Sequence, residues 1–210
     1  MQDYTSYLST VVKALGLDEA CVKLLEEDIN LTQQLHHIDQ IYERISYIGT
    51  SLNVSREAEK LIEELAERIN IVVHKLKFIA DNQRPTVKVV AESTLDNELE
   101  AYINTIIRTA GGRVYNEGLD TKGPELFIFL AQNRSMFQLL GEIPGFLADE
   151  EWENTPAIKE NKVFLIDGEK HLLASLPEAA DDVELLAEIL YPQYFVFGGE
   201  GESWMKFELS

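Results

Sequence analysis

The sequence is short of most features that mark catalytic, anchored or disulfide-stapled proteins. Its 210 residues hold one cysteine, six prolines, two tryptophans and 18 basic residues against 37 acidic ones. A single cysteine, Cys21, excludes an intrachain disulfide and a cysteine-rich metal site. Lying in a helical pattern, it reads as a small core residue. The net charge of −19 repels a polyanion, so nucleic acid is not expected as a partner. No apolar run approaches the length of a membrane span, and no membrane insertion is expected. The opening MQDYTSYLSTVVKALG has neither a basic n-region nor an unbroken apolar h-region. As written, the chain therefore reads as cytoplasmic; with a signal already removed, it would read as periplasmic or cell-surface.

Catalytic motifs are missing too. There is no G-x-S-x-G elbow, no credible Cys–His pairing, no P-loop and no G-x-G-x-x-G. Runs of carboxylates, such as Asp149-Glu150-Glu151 and Asp181-Asp182, follow from the acidic composition. No enzyme activity and no cofactor are expected.

What the chain does have is one long amphipathic stretch, Ser55 to Asn82. Ala58, Leu61, Leu65, Ile69, Val72, Leu76 and Ile79 recur at alternating steps of three and four, one apolar stripe on a helix. Ser55 reads as its N-cap, with Glu57 and Glu59 in the first turn favoured by the helix dipole. Arg84-Pro85 closes it. At a rise of 1.5 Å per residue the helix would be about 40 Å long.

Before it, residues 4–27 read as helical with a break at Gly16, Asp18 capping a short second helix. A third helix is expected to open at Asn30, carrying Leu31, Leu35, Ile38, Ile41, Tyr42, Ile45 and Ile48. After it the composition changes. Strands are expected at 86–93, 113–115, 125–131 and 162–166, the last two as continuous apolar runs buried on both faces. Helices are expected at 98–110, ended by Gly111-Gly112, at 135–140 and at 180–190. Ile143 to Phe146 reads as a turn, 149–154 as a polar, helix-compatible segment. The aromatic tail has no usable period. This order predicts an α/β fold with a mainly parallel sheet. The chain divides into a mostly helical N-terminal segment over residues 1–54, a backbone helix over 55–84 and an α/β lobe over 85–210.

Several of these pieces together resemble the substrate-binding proteins of ABC importers for vitamin B12, haem and ferric siderophores. The pieces are IGTSLNVSREAEKLIEELAERI, RPTVKVVAES, LDNELEAYINTIIRTAGG, PELFIFLA, WENTPAIKENKVFLID, LPEAADDVELLAEILYPQYF and FGGEGESW. The resemblance implies two α/β lobes joined by one rigid helix, with a corrinoid, haem or metal-chelate ligand between them and an ABC permease as partner. Three departures stand out. The segment before the long helix is about half the length of a first lobe. RVYNEGLDTKG replaces the helix that carries the family's permease-docking glutamate, leaving only Glu117. The family's Gly-Pro-Arg reads Leu176-Pro177-Glu178.

The resemblance places a ligand near Phe137, Phe146, Trp152 and Trp204, aromatic residues at loops and element ends, and near His171, a candidate ligand to cobalt or iron. Packing against the last helix or the tail is the alternative for each aromatic. His36-His37-x-Asp39 offers at most two metal ligands on one helix face, so no metal site is assigned. His74 reads as an edge histidine of the long helix. The competing reading is a scaffold that kept the fold and lost its ligand. In it, Leu31, Leu35, Ile38 and Ile45 form an uncovered face that a homodimer would bury.

Overall fold

The computed structural model describes residues 4–25, 28, 31, 34–91, 94–132, 134–148 and 150–208; the side chains of 4–7, 150 and 151 are outside the description. Asn30, Asp149, residues 92–93 of the first expected strand and the Tyr7 side chain therefore lie outside it.

Alternation along the central strands builds the layers. In β3 (Leu126–Ala131) every residue is buried. Leu126, Ile128 and Leu130 point into one apolar cluster, while Phe127, Phe129 and Ala131 point into a second, the period of two that a pleated strand imposes. β4 (Val163–Asp167) divides in the same way, Phe164 and Ile166 to the first cluster, Val163 and Leu165 to the second. With β1 (Thr86–Ala91), β2 (Arg113–Val114) and β5 (Trp204–Lys206) they form a five-stranded sheet of order β2-β1-β3-β4-β5. All pairings are parallel except β4 with β5. The expected α/β fold with a mainly parallel sheet is what forms.

On the first face lie α1 (Tyr4–Ala14), α2 (Ile38–Ser51), α3 (Ser55–Leu76), α4 (Asn97–Thr109) and α9 (Ala179–Leu190), sharing one core. On the second lie four short helices: α5 (Met136–Leu139), α6 (Ile143–Leu147), α7 (Glu150–Glu153) and α8 (Pro156–Lys159). Their buried side chains meet Phe127, Phe129 and Trp152. Among the described residues no strand precedes Thr86.

Caps explain most boundaries. Asp18 accepts from the Ala20 amide at 2.8 Å and opens a 3-10 turn rather than an α-helix. Asp96 accepts from Glu98 and Leu99 and opens α4. Several expected boundaries move. The long helix stops at Leu76, giving 22 residues and about 33 Å. Leu76 there meets Gly111, whose φ of +88° turns the chain out of α4. Ser55 is already inside the helix, and Val54 stands at the N-cap without a side-chain bond. The helix expected from Asn30 begins only at Ile38, where Gln40 Oε1 accepts from the His36 and His37 amides at 2.7 and 3.1 Å. His36 and His37 thus precede the helix, and the i, i+3 pairing with Asp39 that a helix would give is lost. Ile143 to Phe146 is helical, because Pro144 sits in the first turn, where no amide donor is needed.

The face expected to need a partner is covered by the chain itself. Leu31, Leu35 and Ile45 are buried and Ile38 is half-buried against the same core. The physical reason for a homodimer at that face is therefore gone.

Two carboxylates organise the ends. Asp182, buried at the start of α9, accepts from Tyr102 Oη at 2.7 Å and the Leu172 amide at 3.0 Å. Burial first, then the Asp182 charge, pushes the Tyr102 hydroxyl well above its ordinary pKa. Glu188 accepts from the amides of Phe197, Gly198 and Gly199 and from Trp204 Nε1. Burial opposes its charge, but these donors outweigh burial and hold its pKa below the ordinary 4.5.

Two outcomes follow. A Cβ at Gly111 would stand 2.7 Å from Leu76 Cδ1 and 2.9 Å from Tyr191 Cε2 at a left-handed φ. Gly111→Ala should cost about 1–3 kcal/mol, visible as a lower Tm in a thermal melt. Because the folded pKa of Glu188 is depressed, its stabilisation is present above 4.5 and is lost as pH falls through the folded value. Trp204 fluorescence should report an acid step in that window, and Glu188→Gln should remove it.

Candidate functional site

In an open parallel sheet the chain leaves a crevice where successive connections run to opposite sides, at the C-terminal ends of the strands. Here that point lies between β1, whose next strand is β2 on one side, and β3 on the other. A cavity of about 230 Å³ opens there. Val90 and Ala91 end β1 in it, Phe129 and Leu130 come from β3, and Leu139, Ile143 and Phe146 from α5 and α6.

The polar rim is Arg134 and Glu142. Ser135 caps α5, which sets Arg134 just outside that helix and facing α6. Its two terminal nitrogens grip both carboxylate oxygens of Glu142, at 2.5 and 2.9 Å. Those hydrogen bonds first, and the guanidinium charge second, lower the Glu142 pKa. A forked pair of this kind fixes a cation at the edge of an apolar hollow.

Behind the cavity stands an aromatic stack. Phe146 lies face to face with Trp152, centroids 6.0 Å apart at 12°, and edge-on to Phe129 at 5.1 Å and 89°. Trp152 meets Phe127 edge-on at 5.4 Å. Lys88 Nζ sits 5.5 Å from the Trp152 ring and 5.6 Å from Tyr115, within cation–π range. Trp152 is 7% exposed, so it backs Phe146 rather than facing the hollow.

The residues expected near a ligand thus separate. Phe146 lines the cavity, Trp152 supports it, and Phe137 on α5 is 72% exposed. His171 follows the end of β4, but its Nδ1 faces Asp182 at 3.3 Å. Leu172 and Ala174 beside it have φ of 58° and 56°, so this loop is held in a strained form by the Leu172–Asp182 bond. Trp204 is buried between Glu188 and Phe164, the packing alternative for that ring. Glu117 lies in a turn and pairs with Lys88 at 3.3 Å. Arg134 and Glu142 carry no motif that marks them in the sequence. Their one signal is position: Arg134 follows a strand buried on both faces, at the end where loops carry ligands. Among the described residues, no group of three or more His, Cys, Asp or Glu is placed to hold a metal, and no helix is long and apolar enough to cross a membrane.

No family model and no curated protein matches the sequence. Solved structures do match the fold. An ABC transporter substrate-binding protein from Listeria monocytogenes is similar over 83% of this chain and 73% of its own, at 22% identity and TM-score 0.62. S. aureus IsdE, solved with haem, is similar over 88% of this chain and 95% of its own, at 14% identity and TM-score 0.63. A periplasmic binding protein from Veillonella parvula covers 76% of this chain at 16% identity and TM-score 0.56. This chain spans 53% of that protein's length, about half. The chain therefore has the fold of the substrate-binding proteins of ABC importers, as the resemblance implied. The expectation of a cytoplasmic protein is corrected by these neighbours, of which the Veillonella parvula protein is described as periplasmic.

Rim and wall should respond differently to substitution. Arg134→Gln should leave the urea midpoint essentially unchanged, because its pair with Glu142 is solvent-screened. Trp152→Ala, which empties buried volume, should cost about 3–5 kcal/mol.

Proposed function

We propose that this chain is a non-enzymatic ligand-binding protein of the ABC-importer type working outside the cytoplasm. Its ligand class is a corrinoid, haem or other metal chelate, and its partner an ABC permease. In this reading residues 55–84 are the spine between a short helical segment, residues 1–54, and a ligand-holding lobe, residues 85–210. The observation that carries the proposal is the cavity at the C-terminal ends of β1 and β3, with Phe146 as its aromatic wall and Arg134 at its rim.

The site's chemistry suits a flat ligand with anionic substituents. Phe146, braced by Trp152, offers a rigid apolar plane. Arg134 supplies planar donors for a ligand carboxylate, with Glu142 holding it until the ligand arrives. The hollow, about 230 Å³, is below the roughly 300–1,000 Å³ of pockets that enclose a drug-sized ligand. It accommodates one edge or face of a macrocycle and leaves the rest outside. None of the lining groups forms a nucleophile–base pair, which supports binding without chemistry.

Haem, cobinamide and cobalamin should be titrated in turn, following absorbance and Tm. One of them should shift both, and Phe146→Ala should weaken that ligand about tenfold or more. A wild-type protein inert to all three would count decisively against the carrier reading.

A further inference from the structure

At the opposite end of the sheet, near the start of β1, a second cavity of about 310 Å³ lies between the start of α2 and the ends of α3 and α4. Its lining brings two of the chain's 18 basic residues, Arg84 and Arg108, together with His36 and His37, with Asp39 as the one carboxylate among the lining residues. Val73 and Leu76 of α3 form an apolar wall. The histidine pair, which the helix boundary prevents from acting with Asp39 as an i, i+3 metal pair, thereby shares a cavity with two guanidiniums. That company disfavours a cation and favours an anion.

We propose that this cavity binds a small phosphate-type oxyanion, with Arg84 and Arg108 as its charged donors. Arg84 Nε is buried and makes no hydrogen bond among the described residues. That same Nε lies 3.4 Å from the Asp81 carboxylate, which is 91% exposed, without the alignment of a hydrogen bond. A buried N–H without a well-aligned acceptor is costly, and an oxyanion oxygen would supply one. Arg108 is exposed at the end of α4. Guanidinium forks match the oxygen geometry of phosphate. In a chain of net charge −19, a local cluster of this sign is the place where an anion is attracted rather than repelled. The site is separate from the cavity at the other end of the sheet and does not depend on what that cavity holds.

The test is titration with inorganic phosphate at constant ionic strength, read by calorimetry and by the imidazole signals of His36 and His37 in NMR. Saturable binding with movement of those signals is expected, weakened at least tenfold in Arg108→Gln and unchanged in Arg56→Gln, a matched charge change on α3. Because Arg108 is exposed, Arg108→Gln empties no buried volume, and a melting curve would confirm that it stays folded. Absence of saturable binding in the wild type, or equal affinity in Arg108→Gln, would overturn the assignment.

Discussion

The rest of the structure depends on the apolar stripe of α3. Ala58, Leu65, Ile69, Val72 and Leu76 are buried along one side of the helix, and what they bury against differs along its length. Near its start the helix lies on α2, where Gly49 has no side chain and lets Ala58 approach closely. Along its middle it lies on α9, locked by Arg68, whose fork reaches Glu184 at 3.0 and 2.6 Å and Asp181 at 2.6 Å. These bonds, working against burial, raise the Arg68 pKa further. At its end Leu76 meets the Gly111 turn and Tyr191, whose hydroxyl donates to the Gly111 carbonyl at 2.8 Å. One helix therefore ties the N-terminal helices, the last helix and the turn into β2 to a single core.

The sheet inherits its geometry from that arrangement. With α3, α4 and α9 covering one face, the other is left to four short helices and an aromatic cluster. Long helices on the second face would have closed the crevice between β1 and β3. Instead, α5 and α6 leave a hollow edged by Arg134, Glu142 and Phe146. The hollow and the shortness of these helices are two consequences of one packing choice. The buried carboxylates Asp182 and Glu188 then fix the loop after β4 and the C-terminal tail against α9, so His171 and Trp204 serve the frame rather than the hollow.

Local signals were legible at some boundaries set by neighbours in sequence, though not at Ser55, which lies inside the helix that Val54 opens. Asp18 and Asp96 cap as their chemistry dictates, and the buried strands show as unbroken apolar runs because both faces are covered. Periodicity misled where contacts at long range decide. Ile79 continues the spacing of α3, yet the helix has ended, because Leu76 is already seated against Gly111. Leu31 and Leu35 keep a helical spacing and are buried without belonging to the α2 helix. β5 is three residues long and gains its place from β4 and from the Glu188–Trp204 bond, which no local pattern encodes.

The sequence by itself determined the α/β class, the order of the four parallel strands and the long apolar stripe, since each follows from the spacing of apolar side chains along the chain. It also determined that any anion site must be a local exception, because 37 acidic residues dominate 18 basic ones. Only the tertiary structure decided which side chains share a cavity. Phe146 and Arg134 share one hollow from α6 and the loop before α5, and Arg84 shares a cavity with Arg108 and the histidine pair. Such meetings arise from the packing of whole elements, whose relative placement is fixed by summed core contacts rather than by any residue's neighbours along the chain.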